Sequence, residues 1–400
     1  MGNVIEIKNI KQCITGRGLE VVYEISVANN DFSVNYHISG AWGNDRVAEY
    51  CDSPVVSFLY DALLNGYDFK SEYPISEKLY YNLTKQFIPH MCAMNNLRQI
   101  KINAPVSNCN FAGTWVGTGI SCGVDSLATL KEYSAENVAD DYKITHLLYF
   151  KVGAHHGGHP QPVSEEVENK VFHEELEVVE RFCEKGNHKL IVVDSNINVI
   201  SNKIWGVHDF YEVFDYRNAG VMLMMQKNFC KYYVGTGYST FSLFDMDICK
   251  GLEFNEWWSL PLFSSDSLSV IPANMAMTRL EKTKYISDFE ASYDSLMVCW
   301  SGRENCCECT KCVRTMVTLD WLGVLDKYSK VFDLGKYYRN KQYYLQSIVD
   351  KRNSNAYYYE LYEYAKSNNI YLPKPSNFFR STVYKIKSFC YRMLARLLRH

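Results

Sequence analysis

The 400-residue sequence predicts an α/β protein built on a parallel β-sheet with helices on both faces. Three observations predict it. From about Trp115 onward, apolar runs of strand length alternate with amphipathic runs of helix length, joined by Gly-containing turns. Apolar residues make up 47% and charged residues 22%, the balance of a globular chain and not of a disordered one. No uninterrupted apolar stretch reaches about 18 residues, so no membrane-spanning helix is expected.

Residues 1–112 read as a small mixed α+β module. Val21–Val27 and Asp31–Ser39 alternate apolar and polar residues as strands do, and Ser76–Met91 reads as a helix capped by Ser76. Residues 113–325 carry the repeating pattern. Its strands are expected at Trp115–Ser121, Ile144–Val152, Lys189–Val193 and Lys231–Val234. Its helices are expected from Ser126 to about Ser134, over Ser164–Glu184 and over Ala219–Phe229. A helix-prone stretch follows Ile271, then a strand-like run at Ser295–Trp300 and a helix from Val313 to Leu322. Residues 326–400 form a Tyr-rich helical extension broken near Pro373 and Pro375.

The formal net charge is −3, which gives no firm nucleic-acid signal. The opening MGNVIEIKNIKQ has no apolar signal-peptide core, and Glu6 stands where a myristoylation signal needs Ser or Thr. A cytoplasmic protein is therefore expected, its 14 cysteines reduced and some of them metal ligands.

The most informative segment is ISCGVDSLATL, residues 120–130, where a strand ends, a turn holds Gly123 and a helix opens. That junction aims backbone N–H groups and the positive end of a helix dipole at one spot, which suits a phosphate chain. Ser121 and Ser126 add hydroxyl donors, and Asp125 places a carboxylate where Mg2+ is held. Capping alone also puts Gly and Ser at such junctions, so the residues by themselves leave both readings open. The run GTGYST at 235–240 lacks the Lys of a Walker loop and reads as pocket wall.

A second cluster lies in VCWSGRENCCECTKCVRTM. Cys306, Cys309 and Cys312 have C-x2-C-x2-C spacing, and Cys299 is expected at the end of the preceding strand. Three thiolates on a knuckle and one from an adjacent segment complete a tetrahedral Zn2+ site; an iron–sulfur cluster held by the same four cysteines is the alternative. A closed four-thiolate zinc site is structural. Cys307 is left over, at the place of the Gly in C-G-x-C-x-x-C.

The segment SCGVDS resembles the SGGxDS signature of PP-loop ATP pyrophosphatases, with Cys122 in place of the second Gly. The order of pieces is most similar to the 7-cyano-7-deazaguanine synthase branch. After SCGVDS come VGAHHGG at 152–158, the Arg217-Asn218 pair, Gly235, the Lys-containing MTRLEKTKYI at 277–286 and the cysteine knuckle. The resemblance covers about 113–322 and implies a Rossmann-like sheet of the adenine nucleotide alpha hydrolase type, with ATP, Mg2+ and Zn2+ as cofactors. It implies that Ser121, Cys122, Gly123, Val124, Asp125 and Ser126 bind ATP, with Asp125 and Ser126 catalytic. Gly153, Arg217, Asn218 and Gly235 would shape the nucleotide site, and Cys299, Cys306, Cys309 and Cys312 would hold zinc. His155 and His156, in VGAHHGG, would be pocket residues at a strand end.

The implied reaction cleaves ATP to AMP and pyrophosphate and adenylates a small-molecule carboxylate or amide for amide- or nitrile-type C–N bond formation. The turn VGAHHGG replaces the family's Tyr-Gly-Gln, so a different substrate is expected. Ammonia would be free or delivered by a partner, since no glutaminase nucleophile is evident. Two other readings stand beside this one: a nucleotide-binding protein without turnover, and a sulfur transferase acting on RNA through Cys122 or Cys307.

Near the C-terminus, Phe379, Val383, Ile386, Cys390, Met393 and Leu397 fall on one helical stripe, with Arg380, Lys385, Lys387, Arg392, Arg396 and Arg399 off it. The segment 376–400 suits peripheral contact with an anionic membrane, an acidic partner protein, or packing on its own protein.

Overall fold

The computed structural model describes residues 3–43, 45–158, 163–207, 210–237, 256–299 and 304–376. The stripe at 379–397 lies outside them. The chain divides into two compact units, Met1–Glu304 and Asn305–His400. Among the described residues, no helix is long and apolar enough to cross a membrane.

The first unit opens with an antiparallel meander of β1 (Val4–Thr15), β2 (Gly18–Val27) and β3 (Asn30–Gly40). Ala28 and Asn29 both sit at positive φ between the paired residues Val27 and Asn30. Such a two-residue turn twists in the sense that the flanking strands require. Next come α1 (Asp52–Ser57), α2 (Leu59–Asn65), β4 (Asp68–Ser71), β5 (Ile75–Ser76), α3 (Glu77–Tyr81), α4 (Ile88–Asn95), β6 (Ile102–Asn103) and β7 (Val106–Ser107).

The alternating part then runs β8 (Trp115–Gly119), α5 (Val124–Tyr133), β9 (His146–Lys151), α6 (Glu165–Gly186), β10 (Leu190–Ser195), α7 (Ile197–Trp205), α8 (Phe210–Met224) and β11 (Phe229–Gly235). It closes with α9 (Glu256–Leu262), β12 (Ser269–Ala273) and α10 (Arg279–Ile286).

Ten strands form one mixed sheet in the order β12-β11-β8-β9-β10-β3-β2-β1-β4-β6. The five strands β12 to β10 are mutually parallel, and β3 joins β10 antiparallel, with Tyr36 opposite Ser195. The meander therefore extends the parallel sheet. All six residues of β9 are buried, as a strand covered on both faces requires. From β8 the chain moves to β9 on one side, and later returns to β11 on the other. The carboxyl end of β8 is thus a topological switch point, where open α/β sheets place ligands.

Several elements differ from the sequence expectation, among them the helix expected over Ala219–Phe229, which runs over Phe210–Met224 and leaves Phe229 to open β11. Ser295–Trp300 is not a strand through its described residues; its apolar run joins no ladder, though Met297 N donates to the Cys122 carbonyl at 2.8 Å. β12 is a strand that the sequence hid behind Pro272; it sits at a sheet edge, where a missing N–H is tolerated. The helix expected over Ser76–Met91 is broken by a π-type turn at Asn82–Phe87, and the Ser76 side chain does not cap it.

Ser76 instead donates to the buried carboxylate of Asp52, which also accepts from Ser76 N at 2.8 Å and Gln226 Nε2 at 2.8 Å. Burial pushes the Asp52 carboxyl up to about 6 against the pull of those donors. A group raised in this way holds its proton longer in the folded protein than in the unfolded chain. Its stabilising contribution is full below pH about 4 and is lost as pH rises through about 6, a change of roughly 3 kcal/mol. Asp52→Asn is expected to flatten the fall in stability over that window, measured by urea unfolding across a pH series. An unchanged slope would count against the buried proton.

The second unit contains α11 (Thr310–Trp321), α12 (Leu334–Lys351) and α13 (Ala356–Ser367), so the C-terminal stretch is helical as expected. Tyr337 donates to Asp320 at 2.9 Å, and the Arg314 guanidinium stacks 3.7 Å above the Tyr357 ring.

Candidate functional site

The β8–α5 loop lies at the switch point. Cys122 is fully buried in the left-handed region, with φ +54, a conformation that glycine adopts without strain. Burial pushes its thiol well up, which makes it a poor nucleophile. Gly123 N donates to Ser121 Oγ at 3.3 Å, and Ser126 Oγ donates to the Gly123 carbonyl at 3.1 Å. No side chain caps the start of α5, which begins at Val124. Its first N–H groups and the exposed Ser121 face the loop.

Asp125, in the first turn of α5, is gripped by two cations from α10. Arg279 Nη2 lies 2.7 Å from one carboxylate oxygen and Lys282 Nζ 3.4 Å from the other. The Lys282 side chain has 0% exposure and also donates to the Thr236 carbonyl beyond β11. A capping box of Thr278 and Glu281 fixes the start of α10 and so aims both cations. Gly235 permits this closeness: a Cβ there would lie 3.0 Å from the Asp125 carbonyl and 3.0 Å from Thr129 Oγ1. Gly237 N donates to Glu256 at 3.0 Å. Glu256 and Asp215 are both buried, and burial raises both carboxyls well above their usual range.

The neighbouring strand end, after β9, has a different character. Gly153 takes φ +121, and Arg217 Nη1 donates to the Val152 carbonyl at 2.9 Å and to Asn198 Oδ1 at 2.9 Å. Arg217 opens no helix; it lies within α8 and is 1% exposed, because α8 is buried around most of its circumference. Asn218 is half-buried beside it. His155 is turned inward, with Nδ1 2.7 Å from Glu175 and Nε2 3.0 Å from the Phe150 carbonyl. Its ring is committed to the interior and not to a ligand.

The cysteines form a separate cluster. The sulfurs of Cys299, Cys306, Cys309 and Cys312 all lie within 4.8 Å of one another; Cys312 is buried and the others half-buried. Cys309 caps α11, its sulfur accepting from Cys312 N at 3.5 Å, while Cys306 Sγ accepts from Cys309 N at 3.3 Å and Glu308 N at 3.4 Å. N–H groups directed at sulfur favour thiolates. Four thiolates around one Zn2+ stand about 3.8 Å apart, so a small contraction of the set suits a single tetrahedral ion. Cys307 is the odd one out, at φ +62, with its sulfur accepting from Asp333 N at 3.3 Å. Its left-handed backbone explains why a Gly would suit that place.

No family model matches the chain, and no curated relative matches it.

The structure thus brings Ser121, Cys122, Gly123, Val124, Asp125, Ser126 and Gly235 together at one strand end, with Gly153 and Arg217 at the next. Arg279, Lys282 and Thr236 lie in the segments 277–286 and 235–240 named from the sequence, where none was given a role, and Asp215 and Glu256 were not singled out. Thr278 and Glu281, a capping box readable in the sequence, were the available signal for the two cations.

Proposed function

We propose that the protein is an ATP-cleaving ligase of the PP-loop type, working at the β8–α5 loop. The observation that carries this reading is the loop's position: an uncapped helix start at the switch point of a parallel sheet, faced by a buried lysine and an arginine. The strand order β10-β9-β8-β11-β12, which reverses direction at β8, supports this reading.

In this reading the N–H groups of the loop and the Ser121 and Ser126 hydroxyls receive the phosphates. Arg279 and Lys282 turn from Asp125 to the triphosphate and stabilise the negative charge of the departing pyrophosphate. Asp125, released from its cations, is the carboxylate that would hold Mg2+, which supplies charge neutralisation when bound. A carboxylate or amide oxygen of the small-molecule substrate attacks the α-phosphorus, the bond to the bridging oxygen breaks and pyrophosphate leaves. Ammonia or another amine then displaces AMP. The protein's contribution is positioning and charge. Zinc at the cysteine cluster would be structural, since four thiolates leave no open position. Sulfur transfer through Cys122 or Cys307 is disfavoured, because both thiols are buried and pushed up by that burial.

The test is product analysis with α-labelled ATP, Mg2+, ammonium and a metabolite extract. AMP and pyrophosphate are expected, dependent on the extract and reduced roughly 100-fold or more in Ser126→Ala. ADP and phosphate, or ATP binding without turnover, would overturn the ligase reading and leave a nucleotide-binding protein.

A further inference from the structure

The guanidinium of Arg217 makes its hydrogen bonds through one nitrogen only, with the Asp61 and Glu168 carboxylates and the Tyr36 phenol near enough to act on its charge. Nη1 makes both of its hydrogen bonds, while Nε and Nη2 are buried and, among the described residues, unmet. Those two nitrogens form the side-on edge of the guanidinium, the pair of parallel donors that grips a carboxylate with two hydrogen bonds. Leaving such an edge buried without acceptors forfeits the solvation of each donor. A folded protein carries that cost where something else supplies the acceptors.

Other buried polar groups surround the same place. Glu168 Oε2 accepts from Asn198 Nδ2 at 3.2 Å, the same amide that anchors Arg217, while Glu168 Oε1 is buried and unpartnered. The hydroxyls of Tyr23, Ser53 and Ser57 are buried there too, Ser53 in reach of the Tyr23 phenol and both serines in reach of Tyr36. Ser53, Ser57, Ser195 and Arg217 all neighbour the Tyr36 phenol, and the Tyr23 ring stands 5.9 Å from that of Tyr36. This polar centre lies at the carboxyl ends of β9 and β10, marked by Val152 and Ser195, beside the loop that follows β8. Ligands of open α/β sheets bind at that edge.

We infer that the centre is a binding site for a small zwitterion of the amino-acid type, its carboxylate on the Nε–Nη2 edge of Arg217 and its N–H group on Glu168 Oε1. One donor edge and one free carboxylate oxygen ask for both functions in a single ligand; a simple anion leaves Glu168 unmet. The hydroxyls of Tyr23, Ser53 and Ser57 supply adaptable hydrogen bonds around the remainder. This names the class of acceptor substrate, and for that role alone it rests on the ATP reading; binding itself does not.

Glycine, acetate and methylammonium are the probes, each titrated into the full-length protein at matched ionic strength and followed by thermal unfolding without ATP. Glycine is expected to raise the melting temperature most, acetate less and methylammonium not at all. Arg217→Lys keeps the charge but loses the paired edge, and is expected to weaken glycine by about tenfold or more. Glu168→Gln is expected to reduce glycine to the level of acetate; this comparison decides the matter if Arg217→Lys does not fold. No response to glycine, an unchanged response in the folded Arg217→Lys protein, or a crystal grown with glycine that holds ordered water only on Nε and Nη2 would overturn the inference. An intact glycine response without AMP formation would sink the ATP reading alone. AMP formation without a glycine response would sink this site alone.

Discussion

Changing Cys312 to serine is expected to abolish metal binding and to lower the stability of the protein sharply. The wild-type chain should be purified with one zinc ion per molecule, because the four sulfurs all lie within 4.8 Å of one another, close enough for one tetrahedral ion to draw them in. A zinc ion held in this way contributes to folding directly; in small zinc domains its apparent binding energy is about 10 kcal/mol or more at neutral pH. N–H groups directed at the same sulfurs and the cap that Cys309 makes on α11 order the knuckle. Lys336 Nζ on the Cys306 carbonyl at 2.9 Å and the Tyr344 hydroxyl on the Cys307 carbonyl at 2.8 Å also hold it, but they hold its backbone and not the four sulfurs, so losing any one of those sulfurs opens the cluster. Cys309→Ser should therefore act like Cys312→Ser. Cys307→Ser should keep its zinc, because that sulfur faces Asp333 N and not the cluster. Metal analysis and thermal unfolding read all three variants. Full zinc in Cys312→Ser, or iron with acid-labile sulfide in the wild type, would end the zinc assignment.

What the sequence revealed, and what it hid, follows from how far apart the cooperating residues lie. The β8–α5 loop and the cysteine knuckle were legible because each concentrates its chemistry in one short window. In such a window, spacing alone constrains geometry. Lys282 and Arg279 were not legible as partners of Asp125, because their meeting depends on α10 packing against α5 after more than one hundred and fifty residues of intervening chain. Asp215 and Glu256 were hidden for the same reason, since a lone acid on a helix usually faces water.

Arg217 shows a different limit. Taken by itself, an arginine near an expected helix start reads as a surface charge. The helix in fact begins at Phe210, which places Arg217 in its interior and buries it. The strand β12 was obscured by Pro272, while Ser295–Trp300 imitated a strand because apolar runs of that length do not say whether a ladder partner exists. The meander presents the same lesson in reverse: Ala28 and Asn29 lack the usual glycine of a tight hairpin, yet both take positive φ because the paired strands demand it.

The pairing of Asp125 with Lys282 leads to the second large effect, and it separates structure from catalysis. Asp125→Ala removes a carboxylate 3.4 Å from an ammonium group that no solvent reaches. Lys282 then keeps only the carbonyl and hydroxyl of Thr236, and the loss is expected to be about 3 kcal/mol. Glu256 sits close enough to feel both charges, and burial holds its carboxyl neutral well above the usual range. It is able to ionise in compensation, and Glu132 also acts on Lys282, which keeps the expected cost at the lower end for a broken buried pair. The double variant Asp125→Ala/Lys282→Met removes the uncompensated charge along with its partner and should recover most of the lost stability, because an apolar side chain tolerates that burial. Activity should behave otherwise. If Lys282 stabilises departing pyrophosphate, AMP formation stays abolished in the double variant although its urea midpoint has returned. Stability and turnover that recover together would make both Asp125 and Lys282 purely structural, and the ATP reading would lose its Mg2+ carboxylate along with its buried cation.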